Sequence, residues 1–272
     1  MMEISVISDL MYNMESKIVI FEGNKEQGIF SKAKKFYKET DTDEDIKNQI
    51  KEARIKLGKK YNFNGLKMFQ VIQKMEDNDD YEDNKSVIIE EKHLKKEDYF
   101  EEEIKADILI ITSKYKNIAL SHRMADCPVL IAEDREKEVT AIVHCNLYHI
   151  NRGLPKELIN TLIKKFNSEP KNIYLYIGSH IHKENYIYDK YPPRATNKDI
   201  WKDAIEKKGD NYYIDVEKAI LNQLEKFDLA EIKISPFNTY TEENYASHAA
   251  AYYGNKSKLG QNIVGFYYKD AN

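Results

Sequence analysis

No run in this 272-residue chain approaches the roughly 18 consecutive apolar residues of a membrane-spanning helix. No membrane partner is expected. Two cysteines, Cys127 and Cys145, are too few for a disulfide framework and suit a reducing compartment. The opening stretch, MMEISVISDLMYNMESK, carries acidic residues and no continuous apolar core, so it does not read as a secretory leader. The cytoplasm is the expected location. A basic excess is also missing. Lys and Arg number 42 against 46 Asp and Glu, for a net charge of −4, which leaves no footprint for a general nucleic-acid binder. There is no glycine-rich phosphate loop, no dinucleotide-binding fingerprint and no internal repeat. Seven scattered histidines and two cysteines do not supply the ligands of a multi-copper centre. What is present is ordinary for a globular protein: 42% hydrophobic and 32% charged residues, in a chain long enough for one large domain, 1–272.

Periodicity gives the elements. Lys17 to Phe21 reads as an early strand. Asp43 to Lys60 reads as a helix with Ile46, Ile50, Ala53 and Leu57 on one face and Asp43 as its N-cap. The acidic run from Met75 to Lys85 lacks the spacing of a calcium loop and reads as solvated. Residues 74–103 as a whole read as a surface insertion, interrupted by a short strand from Ser86. His93 sits in its charged part and reads as solvated. Ile104–Thr112 and Asn117–Ser121 predict two strands. Pro155 opens a helix with Leu158, Ile159, Leu162, Ile163 and Phe166 on its apolar stripe. Strands are expected at Asn172–Ile177, Asn211–Ile214, Glu231–Ser235 and Asn262–Tyr268, and a helix capped by Asp215 running to Phe227. The central strands form hairpins without crossover helices, which predicts an α+β fold.

The most informative pair is Cys127 and His144. Pro128–Glu133 and Glu138–Val143 are apolar runs on either side of a charged turn, Asp134–Lys137. A four-residue loop there pairs Glu133 with Glu138 and, further out, Cys127 with His144, their Cβ atoms about 4.5–5.5 Å apart. A thiol beside an imidazole can be an activated nucleophile or half of a soft metal site. A buried cysteine meeting a polar strand end by accident is the plainer account.

The words around this pair carry a resemblance. Ala125-Asp126-Cys127 runs into Pro128-Val129-Leu130, and Ala141-Ile142-Val143 leads to His144. Ala106–Thr112 (ADILIIT) lies upstream, and Tyr176-Ile177-Gly178 precedes Tyr186. Together they resemble the YfiH/laccase-domain family (DUF152), over residues 60–268 and most clearly over 106–144. Its members are described as purine nucleoside phosphorylases with adenosine deaminase activity, formerly as multicopper polyphenol oxidases. The resemblance implies helices packed outside two layers of mixed β-sheet, an α/β/β/α arrangement similar to the cytotoxic necrotizing factor fold. It implies Cys127 and His144 as catalytic residues and metal ligands, zinc as the metal, phosphate as co-substrate and a purine nucleoside as partner.

The departures are as specific as the matches. The family's third ligand is the His of a QVH motif; here Gln70-Val71 is followed by Ile72. The family's AGWRG stretch is Cys145-Asn146-Leu147-Tyr148-His149 here, its SYRR is Ser247-His248-Ala249-Ala250, and its closing GR is Gly260-Gln261. Arginine forks hold phosphate, so their loss argues against efficient phosphorolysis, and the missing His argues for weak zinc binding. Arg123, Asp126, His149 and Ser179 are the candidate substrate contacts. A surface ion pair is the simpler account of Arg123, and a turn residue of Asp126. His180 and His182 share a side if extended, as a metal pair or as a polar strand edge. Three functions stand: a nucleoside enzyme using His144 as acid/base, a Cys–His hydrolase resembling the deamidase domain of cytotoxic necrotizing factors, and a non-catalytic ligand-binding relative.

Overall fold

The central hairpin of the sequence is also the centre of the fold. The structure is a computed structural model that describes residues 16–28, 30, 38–72, 85–95 and 103–270. The acidic run over 75–84, most of the opening stretch and residues 96–102 lie outside the described residues.

In chain order the strands are β1 (Ile18–Gly23), β2 (Met68–Ile72), β3 (Ser86–Ile88), β4 (Glu103–Lys105), β5 (Ile108–Thr112), β6 (Ala119–Met124), β7 (Val129–Asp134), β8 (Val139–His144), β9 (Ile173–Ile177), β10 (Ile187–Tyr188), β11 (Ile205–Lys208), β12 (Asn211–Ile214), β13 (Glu231–Ile234) and β14 (Asn262–Tyr268). The helices are α1 (Asp43–Tyr61), α2 (Leu147–Asn151), α3 (Leu154–Phe166), α4 (Val216–Leu224) and α5 (His248–Tyr252). Two large mixed sheets result, ordered β1-β14-β6-β2-β4 and β13-β9-β7-β8-β5-β3, with a small sheet β10-β12-β11.

Side-chain alternation sets the layers. On β7, Leu130 and Ala132 join a core with Leu158, Ile159 and Leu162 of α3 and Ala219 and Ile220 of α4. Val129 and Ile131 face the other way, into a core with Leu120, Val264 and Phe266 of the second sheet. The outer face of that sheet packs Ala119, Ile263 and Tyr267 against Ala53 and Leu57 of α1. The order is therefore α/β/β/α, as the resemblance implied. Burial on both faces explains why β7 reads as an unbroken apolar run.

Four expectations need correction. Thr42, not Asp43, caps α1, in a reciprocal box with Asp45. The single strand expected over Ile104–Thr112 is two, β4 in one sheet and β5 in the other. The stretch 74–103 is not wholly an insertion, since β3 pairs in parallel with β5. The hairpin turn is displaced by one residue, to 135–138. The Asp134 carboxylate accepts the N–H groups of Glu136 at 2.9 Å and Lys137 at 3.0 Å, which keeps Asp134 in the strand. Glu138 takes a left-handed conformation (φ 51°) and sends its carboxylate to Lys17 and Ser113. The register becomes Glu133 opposite Thr140 and Val129 opposite His144, so Cys127 is not the direct partner of His144. A shift of two leaves every side chain on its expected face, so the hydrophobic pattern could not detect it.

Candidate functional site at the crossing between sheets

After β6 the chain leaves one sheet and enters the other at β7. The crossing is the turn Ala125-Asp126-Cys127-Pro128. Asp126 holds it. Its backbone is left-handed (φ 80°), a strained conformation for a residue with a side chain. Its buried carboxylate accepts the Thr239 hydroxyl at 2.7 Å and the Ala249 N–H at 2.7 Å, and its carbonyl accepts the Ile181 N–H at 2.9 Å. The turn is thereby bound to the 178–182 loop and to the start of α5. Asp126 acts as a brace for the turn.

Three imidazoles converge behind the turn. His144 ends β8. His122 faces it from β6 across the gap between the sheets, with ring centres 6.1 Å apart and nearly parallel planes. His149, on α2, meets His144 edge-on at 6.1 Å. Beyond His149 lies the fully buried Asp107, with Oδ1 3.9 Å from His149 Nε2. The other oxygen of Asp107 is 3.6 Å from the Arg152 guanidinium, which lies over the Tyr148 ring. His122 Nε2 is buried with no hydrogen-bond partner among the described residues.

Burial sets the protonation states. It pushes His144 down to about 4. His122 falls well below the ordinary histidine range, through burial and then through His144, His149 and Arg123. Both are neutral at neutral pH. Burial, reinforced by Asp126, pushes the Cys127 thiol up to about 12. Cys145 rises well above the usual thiol range by burial, then by Cys127 and Asp107. Burial and Cys127 likewise raise Tyr186. Cys127 thus sits among Asp126, Cys145 and Tyr186, and both cysteines are free. A thiol this weakly acidic is a poor nucleophile. Cys127 is therefore expected to resist iodoacetamide at pH 7 in the folded protein and to react promptly once unfolded, read by mass spectrometry. Rapid modification of the native protein would show an activated thiolate.

The donor types, thiol and neutral imidazole, suit zinc. Among the described residues, however, no three His, Cys, Asp or Glu side chains converge closely enough to hold a metal. The arrangement does not fit the ion as it stands.

The other expected contacts are placed as follows. Arg123 lies on the face of β6 opposite His122, and its Nη1 donates to the Phe30 carbonyl at 3.1 Å. Ser179 is buried, and its N–H donates to Glu22 Oε1 at 2.9 Å. His180 and His182 do share a side, with ring centres 5.3 Å apart. Each faces its own carboxylate, Glu217 at 3.6 Å and Glu184 at 3.7 Å. His93 accepts the Glu90 N–H in a local turn. Ile72 ends β2, opposite Lys105 of β4.

Two of the stretches that differ from the family pattern, at Ser247–His248 and at Gly260–Gln261, line one cavity of about 180 Å³ beside the turn. Its wall includes Ala125, Ser247, His248, Lys258 and Gln261. Lys258 is the cation there, but its ammonium is occupied by the carbonyls of Thr239 at 3.1 Å, Tyr245 at 3.3 Å and Glu242. Sequence reasoning missed Lys258 and left His122, Asp107 and Arg152 without roles in this cluster. Alternation along His122-Arg123-Met124 was the available signal, since it turns His122 inward with Leu120.

A layered pair of mixed sheets, crossed by this turn, defines the class. The solved structures of Bacillus licheniformis YfiH, Geobacillus stearothermophilus YlmD and a Neisseria meningitidis DUF152 protein share the fold. They are 17%, 14% and 13% identical, with TM-scores of 0.65, 0.63 and 0.62, and each match covers 82% of both chains. The model of the multi-copper polyphenol oxidoreductase laccase family matches residues 28–263. The chain belongs to that family, the YfiH family. A search of the curated proteins found no match. Among the described residues no helix is long and apolar enough to cross a membrane.

Proposed function

We propose that this protein is a purine-nucleoside enzyme working at the crossing turn, with His144 exchanging a proton with the base. The observation that supports it is the neutral, half-buried His144, backed by His149 and Asp107. Cleaving the glycosidic bond requires a proton for the departing purine and an acceptor for the ribose carbon. In phosphorolysis, phosphate attacks C1′ as the base leaves. The neutral imidazole of His144 would take the proton that the attacking phosphate loses and pass it to the purine as the glycosidic bond breaks. A Cys–His hydrolase is disfavoured by the raised Cys127 thiol. The partner is a small molecule, and a reducing cytoplasm keeps both cysteines as thiols. With no third ligand at hand among the described residues, the purified protein is expected to keep no stoichiometric zinc through extensive dialysis, measured by elemental analysis.

Phosphate use is the finer point. Among the described residues no arginine lines the cavity beside the turn, and Lys258 is already occupied. Each missing charge-assisted contact removes about 1.5–3 kcal/mol. Two such losses slow phosphorolysis by about two to four orders of magnitude. Adenine release from adenosine, assayed with and without phosphate, is expected to be slow and to gain little from phosphate. Fast phosphate-dependent turnover would refute this. The same occupied Lys258 favours a second reading, a relative that binds a nucleoside without turning it over. Saturable adenosine binding with no product would establish it.

A further inference from the structure

On the helical side of the molecule, away from the crossing turn, α3, α4 and the 197–200 segment enclose a groove of about 570 Å³. That volume lies within the range of small-molecule sites. Three cations line it: Arg152, Lys156 and Lys226. Both lysines are exposed, and neither has an ion-pair partner among the described residues. The groove also carries Glu157 and Asp199, but Glu157 is engaged by Lys164 at 3.4 Å. Arg152 is shared with Asp107, 3.6 Å away. The first turn of α3 forms part of the wall and begins at Gly153 without a side-chain cap. The buried Oε1 of Gln223, also on the wall, has no hydrogen-bond partner among the described residues. Two exposed lysines without ion-pair partners beside amide groups suit a ligand that is anionic at one end and hydrogen-bonding at the other.

We infer that this groove is a second site, for a phosphorylated small molecule of mononucleotide size. Arg152, Lys156 and Lys226 hold its phosphate, and Gln223 accepts from its polar portion. Arg152 belongs to both the groove and the Asp107–His149 pair, so the ligand competes with Asp107 for the guanidinium.

Trp201, the chain's single tryptophan, gives the test its reporter. It is buried beside Ile200 of the groove wall, and its Nε1 donates to Asn151 Oδ1 at 3.0 Å. The full chain is titrated with adenosine monophosphate, adenosine and inorganic phosphate, followed by calorimetry and Trp201 fluorescence. Adenosine monophosphate is expected to bind saturably, with Kd between about 1 μM and 1 mM. Inorganic phosphate should compete with it, and adenosine should leave Trp201 unchanged. A Lys156→Ala, Lys226→Ala double variant should bind at least about tenfold more weakly, equivalent to 1.4 kcal/mol or more. Lys→Gln at both positions serves if the alanine pair is less stable. A His144→Ala variant should bind as wild type, which separates this site from the crossing turn. No saturable binding, equal binding by the double variant, an equal Trp201 response to adenosine, or loss of the response in His144→Ala would each overturn the inference.

Discussion

Alanine in place of His144 is expected to lower adenine release from adenosine by about 10²–10⁴-fold, the usual contribution of a positioned acid or base. If His144 carries the proposed proton transfer, the loss should fall on kcat more than on KM, because a proton relay acts in the transition state. The same residue leaves a mark on stability. Its folded pKa is depressed to about 4 by burial, against an ordinary value near 6.5. Below pH 6.5 the unfolded chain therefore binds a proton that the folded chain refuses. Stability is fully present above pH 6.5 and is lost progressively as pH falls toward 4, by about 3 kcal/mol at most. A His144→Asn variant should show a flatter acid limb in urea unfolding between pH 6.5 and 4. An unchanged limb together with unchanged turnover would remove His144 from both roles.

Glu22→Ala is expected to destabilise the fold by about 3–5 kcal/mol. Glu22 lies on β1 and is only 3% exposed. One oxygen accepts the Tyr176 hydroxyl at 2.7 Å and the Ser179 N–H at 2.9 Å; the other accepts the Tyr245 hydroxyl at 3.2 Å. Burial and the Glu22 charge both push Tyr176 and Tyr245 well above the usual phenol range, so each remains a donor. Removing the carboxylate strands three donors in the interior, and each unpaired group costs about 1–3 kcal/mol. The close approach needs Gly178, whose added Cβ would lie 3.1 Å from Glu22 Oε1. Glu22→Gln keeps an acceptor and should cost less than alanine. A loss below about 1 kcal/mol for Glu22→Ala, measured by urea unfolding, would mean that water satisfies those donors.

The sequence announced its elements through local rules, and most held to within a residue, the cap of α1 falling on Thr42 beside the expected Asp43. Pro155 lies in the first turn of α3, one residue after its start at Leu154, and Asp215 does cap α4 through the Lys218 N–H. The hairpin was found, but its register was not. The deciding contacts, Asp134 with two backbone N–H groups and Glu138 with Lys17 and Ser113, are side-chain choices that hydrophobic period does not encode. The site was legible in part. The Ala-Asp-Cys turn and His144 could be read as words, whereas the partnership of His122, His149 and Asp107 exists only once two sheets are stacked. Asp126 shows the same limit. Its type and position were visible, but its acceptance of Thr239 and Ala249, over a hundred residues away, was not.

The order of strands in the five-stranded sheet has a bearing on how the chain is born. β14, from the far end of the described chain, lies between β1 and β6 and pairs with both. During synthesis β1 waits for a neighbour until residues 262–268 have left the ribosome. The gap that His122 and His144 share cannot close before then, because the wall carrying His122 is incomplete. Such distant pairing slows folding and leaves apolar strand edges exposed in the meantime. The candidate site thus stays incomplete until residues 262–268 have been made, and the interval before β14 arrives is when chaperones would be most needed.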